Sequence, residues 1–596
     1  MGDTQEDSRV VEIRHSLAHL LAATVTEMYP GAKNAIGPAI ENGFYQDFET
    51  PEPISDEDLP KIEAKMREVL KTWGAFERKE VSTEEARQQF SWNPYKLELI
   101  DDFSKDNKQL TFYTSGSFVD LCRGGHVDDA KQIDPRAFKL TRVSGVYWRG
   151  DEKKQQLQRI YGIAFETSAE LKDYVSMLEE AKKRDHRKLG QELDLFVFSD
   201  LIGAGLPLFT PRGTVLRRQL DAFVQEMRDE YDYQEVTIPH ITKKDAYIAS
   251  GHWKKFEEEL FRITTREGHE FAMKPMNCPH HTQLYAARAR SYKELPIRYR
   301  ETTTCYRDEQ SGELSGLSRL RAFAQDDAHV FCRTAHVEEE ALKIWDIIDR
   351  FYGTFGFELK VRFSTHDPAN MSAYSGSEEK WISTEQQLLS IIKQKVGEAY
   401  IDGVGEAAFY GPKIDFMAKD AIGREHQVAT IQLDFNQPEG FDLTCVNEEG
   451  GQERILMIHA AIMGSIDRFL SVYIEHVAGK FPVWLAPEQI RIATLNQDEQ
   501  IVDFAKGIAL KAKALGLRAT VDADNESVGK KIRNAELMKV PYTVVIGSKE
   551  LETGELMPRI RQDMEVNATA HTAHTVDELL KTVVNEVKSR VNNTSL

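Results

Sequence analysis

The chain has 596 residues, 41% of them hydrophobic, which is too long for one hydrophobic core and predicts three or four domains. Its longest apolar runs, such as Tyr542–Ile546, cannot span a bilayer, its acidic N-terminus lacks the layout of a signal peptide, and its five cysteines do not make a disulfide framework, so we expect a cytoplasmic protein without a membrane partner. The net charge of −20 does not exclude a nucleic-acid partner, because phosphate binding depends on local basic patches rather than on the total.

The first chemical signal along the chain is a pair of histidines on a predicted helix. Apolar residues follow helical periodicity over residues 14–28, and His15 and His19, four residues apart, share one face of that helix. A Cys/His pair, Cys122 and His126, follows about a hundred residues later. No glutamate follows His15, so the zinc-peptidase pattern, which needs an adjacent general base, is absent. A solvated helix face is the alternative for a lone His-x-x-x-His.

The middle of the chain begins with a charged helical connector over residues 168–189. A longer helix follows, and its apolar positions are Leu216, Leu220, Phe223, Val224 and Met227. We then predict a strand that ends at residues 237–239, where Pro239 cannot donate to a ladder and suits a strand end at an interface. An ordinary core helix followed by an edge strand is the alternative.

Three residues far apart in the chain indicate a metal site. Cys278, His329 and His459 form a one-sulfur, two-nitrogen set that a catalytic zinc ion would accept, and each lies inside a dense motif. Zinc with three protein ligands keeps a position open for substrate, which separates a catalytic from a structural site.

Arginines around a flexible loop indicate a triphosphate site. Arg307 precedes a Gly/Ser-rich turn over residues 311–316, and Arg319 and Phe323 follow it. Planar guanidinium groups bind phosphate oxygens in pairs. The side chain of Phe323 is suited to stack on a base.

The remaining segments predict a sheet and a separate C-terminal domain. Residues 408–416 and 427–435 each predict a strand, and residues 462–472 predict a helix that carries Arg468. Past Pro487, strands alternate with helices, one of them over residues 528–540, which indicates a small parallel α/β domain.

These motifs together resemble the class II aminoacyl-tRNA synthetases. Arg307 with Glu309 resembles their motif 2, residues 464–468 resemble motif 3, and the helix and strand that end at Pro239 resemble motif 1, the dimer-forming element. The Cys/His/His set is similar to the zinc site of the bacterial threonyl-tRNA synthetases. The resemblance implies an α+β multidomain fold: an antiparallel sheet core flanked by helices, an N-terminal α+β editing domain and a C-terminal α/β anticodon-binding domain.

The resemblance implies ATP-dependent activation of L-threonine to threonyl-adenylate and transfer to tRNA(Thr) by a homodimer, with one Zn²⁺ per subunit and Mg²⁺ with ATP. Arg307 on the α-phosphate and Arg468 on the γ-phosphate would be the catalytic residues. The implied ATP-binding residues are Met276, Arg307, Glu309, Arg319, Phe323, Gln427, Ser465 and Arg468, and the implied threonine-binding residues are Gln325, Asp327, Tyr410, Lys413 and Gln432. A hydrophobic strand with incidental polar residues is the alternative for those on the two predicted strands.

The N-terminal third resembles the editing domain that threonyl- and alanyl-tRNA synthetases share, which hydrolyses mischarged tRNA. The implied editing residues are His15, His19, Lys96, Asp120, Cys122 and His126. We interpret this pocket as a deacylase of seryl-tRNA(Thr) in which His15 and Lys96 position water, with or without a metal ion. The implied anticodon readers are Asn525, Lys539, Glu550 and Arg559, for which a surface loop is the alternative.

The implied domains are editing (1–165), a helical linker (166–197), catalytic (198–485) and anticodon-binding (486–596). Two features depart from the family pattern. His15 lies too early for the ubiquitin-like β-grasp domain that precedes editing in most bacterial members, and Ala460 stands where the family usually has arginine after the third zinc ligand.

Two other classes of function compete with this interpretation. One is a synthetase-like protein that binds RNA without aminoacylating it, which has no need to keep both arginines and all three metal ligands. The other is a hydrolase whose N-terminal pocket does all the chemistry. Among synthetases, the nearest alternatives are the prolyl enzymes, which lack this editing unit, and the alanyl enzymes, which place it after the catalytic core.

Overall fold

The computed structural model describes residues 8–105, 109–564, 572–591 and 594. Residues 1–7, from which we predicted the absence of a signal peptide, lie outside the described residues. Internal contacts divide the chain into two units, Met1–Glu179 and Glu180–Leu596. Within the described part of the chain, no helix combines the length and apolar composition that crossing a membrane requires.

The N-terminal unit contains two antiparallel sheets. Its strands are β1 (Lys33–Asn34), β2 (Ala39–Ile40), β3 (Gly43–Glu49), β4 (Glu77–Val81), β5 (Leu110–Ser115), β6 (Phe118–Leu121), β7 (Phe138–Tyr147) and β8 (Gln156–Ala164). The strand order is β1-β3-β8-β7 in the first sheet, with β2 beside β3, and β4-β5-β6 in the second. The helices are α1 (Ser8–Met28), α2 (Leu59–Leu70), α3 (Thr83–Gln89), α4 (Pro94–Lys105) and α5 (Ser168–Arg184), whose last turn belongs to the second unit.

Helix α1 confirms the predicted amphipathic helix. Leu17, Leu20 and Leu21 are at most 1% exposed and pack in one cluster with Phe44 and Phe48 of β3. The apolar stripe therefore turns into the core, and the histidines lie on the neighbouring face, beside the loop that follows β6.

The second unit contains the larger sheet, whose strands pair in the order 234–235, 297–306, 322–332, 456–465, 425–434, 413–419, 358–365 and 400–404. The helices are α6 (His186–Glu192), α7 (Pro211–Asp229), α8 (Lys244–Ala249), α9 (His252–Lys255), α10 (Cys278–Ala286), α11 (Val337–Thr354), α12 (Glu378–Val396), α13 (Asn436–Gly440), α14 (Ile466–His476), α15 (Glu499–Ala514), α16 (Val528–Leu537), α17 (Ser548–Thr553) and α18 (Val576–Ser589). The strands up to the end of this sheet are β9 (Phe196–Val197), β10 (Leu208–Phe209), β11 (Gln234–Glu235), β12 (Ile241–Lys243), β13 (Arg262–Thr264), β14 (Glu270–Met273), β15 (Ile297–Tyr306), β16 (Ala322–Cys332), β17 (Glu358–Thr365), β18 (Tyr400–Val404), β19 (Lys413–Lys419), β20 (Glu425–Asp434), β21 (Thr444–Val446), β22 (Gln452–Arg454) and β23 (Leu456–Ser465).

This sheet is antiparallel except at its edges, where β11 runs parallel to β15 and β18 runs parallel to β17. Side-chain alternation along β16 divides its two faces. Ala328 and Val330 join the core cluster that α7, α11 and α14 cover, whereas Gln325, Asp327 and His329 point to the opposite face. The predicted apolar stripe of α7 lies in the same core, which confirms that helix.

Two predicted boundaries are wrong in this region. The strand predicted to end at Pro239 is only Gln234–Glu235, because the Ile238 amide donates to the side chain of Glu301 instead of to a ladder. Ile462, predicted to lie on a helix, belongs to β23, because α14 begins only at Ile466, where the Ser465 hydroxyl caps it.

The C-terminal part confirms the predicted parallel α/β arrangement. Its strands are β24 (Ile490–Thr494), β25 (Ala519–Asp522), β26 (Tyr542–Ile546), β27 (Glu555–Leu556), β28 (Arg559–Ile560) and β29 (His574–Thr575). Strands β25 and β26 run parallel to β24 on either side of it, and β28 joins β26 antiparallel. The helix predicted over residues 528–540 ends at Leu537, and Lys539 then adopts a φ of +52°.

Candidate functional site

Two adjoining cavities open on the face of the large sheet that carries Gln325, Asp327 and His329. The larger has a volume of about 820 Å³ and the smaller about 150 Å³. Both are lined by Met276, Arg307, Phe323, Gln325 and Gln432, so the cavities share a wall. The smaller one holds roughly five water volumes, which suits a small amino acid rather than a nucleotide.

All eight residues predicted to bind ATP line the larger cavity: Met276, Arg307, Glu309, Arg319, Phe323, Gln427, Ser465 and Arg468. The guanidinium carbon of Arg307 lies 5.4 Å from the ring centroid of Phe323 and 5.6 Å from that of Phe256. Its Nε is buried without a hydrogen-bond acceptor among the described residues, and the nearest carboxylate oxygen, on Glu259, is 4.0 Å away. A buried donor without an acceptor costs free energy, so this position is suited to an anionic ligand.

The other two arginines of this cavity differ in their pairing. Arg319 is held by Glu309 at 2.7 Å and by Glu313 at 3.3 Å. No carboxylate of the described chain lies within 4.0 Å of the Arg468 guanidinium, which is exposed at the start of α14. The Ser465 hydroxyl accepts from the Arg468 amide at 3.2 Å. A helix N-terminus with an unpaired arginine favours negative charge.

The smaller cavity brings the three predicted metal ligands together. Sγ of Cys278 and one ring nitrogen each of His329 and His459 lie within 4.8 Å of one another, and all three side chains are buried. Nε2 of His329 lies 3.0 Å from Nδ1 of His459. Strands β16 and β23 pair these two histidines directly, and Cys278 is the first residue of α10.

Two residues that the sequence analysis missed orient these ligands. Asp434 Oδ2 accepts from Nε2 of His459 at 2.9 Å, and Nδ1 of His281 lies 2.8 Å from Nδ1 of His329. A carboxylate only accepts, so Nε2 of His459 carries the proton and its Nδ1 keeps a free lone pair. His281 lies three residues after Cys278, a spacing that places both on one helix face and was the available signal.

The donor set fits a zinc ion. Ligands about 2.1 Å from a tetrahedral ion stand about 3.4 Å apart, and the facing nitrogens of His329 and His459 are 3.0 Å apart. A thiolate with two imidazoles favours zinc over magnesium or calcium. Burial lowers the pKa of His329 well below its usual value, which keeps the imidazole neutral. Burial also raises the pKa of the Cys278 thiol, so in the absence of an ion this side chain stays protonated.

Four of the five predicted threonine-binding residues line the cavities: Gln325, Asp327, Tyr410 and Gln432. The Tyr410 hydroxyl donates to Oε1 of Gln432 at 2.5 Å, and its ring stacks on His459 with centroids 5.0 Å apart. Asp327 accepts from the Asn277 amide at 3.0 Å, and burial raises its pKa to about 6.

Lys413 is the exception. Its Nζ pairs with Oδ2 of Asp415 at 3.0 Å, and it is not among the residues that line either cavity. The same buried carboxylate accepts from Arg362 and from Nε2 of Gln427, each at 2.9 Å. Asp415 therefore organises two predicted substrate residues, and the predicted contact of Lys413 with threonine stays a prediction.

The six predicted editing residues lie close together in the N-terminal unit, and we call this cluster the editing pocket. Nδ1 of His15 donates to the Gly125 carbonyl at 3.2 Å, so its Nε2 accepts from the Cys122 thiol at 3.5 Å. Nε2 of His126 lies 3.3 Å from the same sulfur. Gly124 and Gly125 have φ of +107° and +85°, conformations that favour glycine and turn Cys122 and His126 toward α1.

A buried ion pair forms the floor of this pocket. Nζ of Lys96 lies 2.6 Å from Asp120, which also accepts from Asn34 at 3.1 Å and lies 3.6 Å from Nδ1 of His19. The structure thus gives Lys96 a carboxylate partner, and its predicted role in positioning water stays a prediction.

The pocket is electrically neutral apart from that pair. Burial lowers the pKa of His15 and His19 and brings that of His126 to about 3, while burial raises the pKa of the Cys122 thiol to about 11. Neutral imidazoles offer acceptors to water, whereas a protonated thiol is a poor nucleophile. Ligand atoms of His15, His19, Cys122 and His126 also lie within 4.8 Å of one another, so the pocket can hold either water or a metal ion.

The four predicted anticodon readers all lie in the C-terminal part. Asn525 and Arg559 are exposed. The Glu550 carboxylate accepts from the Gly547 amide at 2.9 Å and caps α17, and burial lowers the pKa of Lys539. Their role in anticodon reading stays a prediction.

Comparisons with known proteins cover most of the chain. Residues 261–477 match the family described as tRNA synthetase class II core domain (G, H, P, S and T), residues 489–586 match the anticodon binding domain, and residues 110–161 match the threonyl and alanyl tRNA synthetase second additional domain. A threonine–tRNA ligase of Cytophaga hutchinsonii is 46% identical over 91% of this chain and 84% of its own length. One from Gloeobacter violaceus is also 46% identical, over 94% of this chain and 90% of its own length.

A solved structure agrees with these sequence relatives. The RNA binding domain of threonyl-tRNA synthetase from Cryptosporidium parvum is 34% identical, has a TM-score of 0.63, and covers 69% of this chain and 99% of that one. A putative threonyl-tRNA synthetase from Aeropyrum pernix is 29% identical with a TM-score of 0.58, over 69% of this chain and 98% of that one.

Proposed function

Because the chain belongs to the family of threonine–tRNA ligases, we propose that Cys278, His329 and His459 hold the zinc ion through which it selects threonine. The enzyme activates L-threonine with ATP and transfers it to tRNA(Thr). The bound ion would supply a Lewis-acidic position for the amino group and the hydroxyl of threonine. The observation that carries this proposal is the buried convergence of one sulfur and two imidazole nitrogens beside the ATP-sized cavity.

The need for such a site follows from the shapes of the competing amino acids. Threonine and valine differ by a hydroxyl in place of a methyl, which an apolar pocket distinguishes poorly. A site built to bind a hydroxyl rejects the isostere by roughly 10⁴–10⁵, because its polar groups are otherwise left unpaired. Tyr410 and Gln432 contribute to this polarity, and their mutual hydrogen bond fixes both beside His459.

The activation step needs no protein nucleophile. The threonine carboxylate attacks the α-phosphorus of ATP, the bond to the bridging oxygen breaks, and pyrophosphate leaves. We assign Arg307 to the α-phosphate and Arg468 to the γ-phosphate. Both guanidinium groups face the larger cavity, and the nearest carboxylate to Arg307, on Glu259, is 4.0 Å away without a hydrogen bond to its Nε. Magnesium bound with ATP would add further positive charge. Catalysis is therefore electrostatic and positional.

We assign the N-terminal pocket to the hydrolysis of mischarged seryl-tRNA(Thr). Serine lacks only a methyl group of threonine, and one missing carbon costs roughly 10–200-fold in selectivity, too little for accurate charging. In the pocket, water attacks the carbonyl carbon of the seryl ester, the bond to the ribose oxygen breaks, and that oxygen takes a proton. His15 and its neutral neighbours orient the water, and the Lys96–Asp120 pair holds the pocket floor.

The remaining assignments complete the proposal. We place the enzyme in the cytoplasm as a homodimer formed through the motif 1 segment, with the domain boundaries given above. Its five cysteines are all free thiols, which suits a reducing compartment. Asn525, Lys539, Glu550 and Arg559 are assigned to anticodon reading.

Amino-acid-dependent exchange of pyrophosphate into ATP tests the proposal. We expect exchange with threonine well above serine, and valine near background, and we expect chelation to abolish the threonine signal. An enzyme that exchanges nothing in its native metal-bound form would be an RNA-binding relative only. An enzyme that hydrolyses seryl-tRNA but shows no amino-acid-dependent exchange would be a hydrolase.

A further inference from the structure

An irregularity interrupts the ladder between the two strands that carry the metal-ligand histidines. On β16, Asp326 pairs with Gly464 of β23, whereas Ala328 pairs with Ala460. One residue of β16 therefore lies opposite three of β23, residues 461–463. Such a bulge leaves backbone groups without ladder partners and bends the strand that carries it.

The side chain of Asp326 replaces the missing ladder. Its Oδ2 accepts from the amide of Ile462 at 3.2 Å and from the amide of Met463 at 3.0 Å. The carbonyl of Ile462 accepts from the hydroxyl of Tyr352 at 2.9 Å. Buried backbone groups must be paired, so these side chains determine the shape of the bulge.

Arg228, in the last turn of α7, holds Asp326 in place. Both side chains are 0% exposed, and Nη1 of Arg228 lies 2.5 Å from Oδ1 of Asp326. Nη2 of the same guanidinium donates to the carbonyl of Ala460 at 3.1 Å. Because the guanidinium is planar and rigid, Arg228 fixes the end of the bulge that adjoins His459 and, through Asp326, the amides within it.

The bulge lies between the two cavities along the chain. His459 of the smaller cavity precedes it, and Ser465 and Arg468 of the larger cavity follow it. We propose that Asp326 is a positioning residue: held in place by Arg228, its carboxylate pairs the amides of this bulge and so aligns threonine, in the smaller cavity, with the phosphates of ATP in the larger. This inference rests on the proposed assignment of the two cavities.

Two double variants isolate the hydrogen bonds of the bulge from the buried charge. Arg228→Leu with Asp326→Asn removes both charges and keeps an acceptor for Ile462 and Met463, whereas Arg228→Leu with Asp326→Leu removes the acceptor too. We expect kcat for threonine-dependent exchange within about fivefold of wild type for the first pair and about 30–100-fold lower for the second. KM for ATP and threonine, and zinc content, should stay close to wild type in both.

A matched control uses another ion pair of the same unit, in which Glu340 is buried and Arg298 half-buried. Arg298 bonds Glu340 at 2.5 and 2.7 Å, and among the described residues neither side chain forms a hydrogen bond with β23. Arg298→Leu with Glu340→Leu should leave kcat near wild type. Equal kcat in the two Arg228 double variants, or an equal loss in the Arg298 control, would overturn the positioning role. Absence of exchange in the wild type would instead refute the proposed function.

A conservative variant keeps the inference testable if the double variants do not fold. Arg228→Lys keeps the charge but cannot bond Asp326 and the Ala460 carbonyl in the same fork. We expect it to lower kcat about three- to tenfold with unchanged KM, while Arg298→Lys leaves kcat unchanged. Identical kcat in these two lysine variants would also overturn the inference.

Discussion

The carboxylate of Asp434 accepts a hydrogen bond from Nε2 of His459 at 2.9 Å, and this directs the opposite ring nitrogen of His459 toward His329. Partners of this kind fix the tautomer of a metal-ligand histidine and raise its basicity. We expect Asp434→Asn to weaken zinc binding about tenfold, measured by competition with a chromophoric chelator. Asp420→Asn is the matched control, since Asp420 faces a different histidine, His426, at 3.1 Å, and an equal loss there would contradict the assignment.

Removing the proposed sulfur ligand, Cys278, should impair threonine activation and leave editing in the N-terminal pocket intact. Cys278→Ser should lower kcat/KM for threonine activation by roughly 10³-fold or more, because the hydroxyl of threonine loses its recognition site. Deacylation of seryl-tRNA in the N-terminal pocket should not change. Cys305→Ser is the control, since this buried cysteine lines the smaller cavity without belonging to the ligand set. Loss of activity in both variants would point to packing rather than metal binding.

The two arginines after β15 should differ in importance. Arg307→Lys should lower the rate of adenylate formation about 10²–10³-fold, because lysine cannot bind two phosphate oxygens in one plane. Arg319→Lys should lower the same rate less than about tenfold, because Arg319 is exposed and already paired with Glu309 and Glu313. Single-turnover kinetics of adenylate formation measure both, and a reversed order would contradict the assigned roles.

Hydrolysis of seryl-tRNA(Thr) should depend on His15, whereas activation of threonine should not. His15→Ala should lower seryl-tRNA(Thr) hydrolysis about 10²-fold or more, since neutral imidazole acts on the water, and serine should then accumulate on the tRNA. Threonine-dependent exchange should stay at the wild-type rate. Arg136→Met, which removes an exposed ion pair with Asp134 in the same unit, should leave hydrolysis intact. If His15→Ala hydrolyses seryl-tRNA normally, the pocket is not the deacylase.

The same pocket should lose stability in acid. Burial lowers the folded-state pKa of His19 and of His126, the latter to about 3, so the unfolded chain binds protons that the folded chain refuses. The free energy of unfolding should therefore fall as pH drops below about 6.5, the unfolded value. Thermal melting at pH 7.5 and pH 5 measures this. In His126→Asn, the melting temperature should change less between these two pH values than in wild type. An equal change would show that the buried histidine is not the cause of the loss in stability.

The residues that we assign to the chemistry stood out in the sequence because they lie in dense local motifs. Cys278, His329 and His459 could be grouped from ligand type alone, and α1 and the parallel C-terminal strands followed from periodicity. The strand predicted to end at Pro239 failed because a side chain, Glu301, takes the amide that a ladder would have paired.

Supporting residues could not be predicted, because their roles exist only after folding. Arg228 and Asp326 are about a hundred positions apart and meet only because α7 packs under β16. Asp415 lies in an ordinary alternating strand, and nothing local shows that it gathers Arg362, Lys413 and Gln427.

The most direct test of the central claim is zinc titration into metal-free enzyme, with pyrophosphate exchange measured at each addition. Exchange with threonine should rise linearly and stop at one ion per subunit, while valine stays near background throughout. Full threonine exchange before any zinc is added, or activation of valine as fast as threonine, would contradict it.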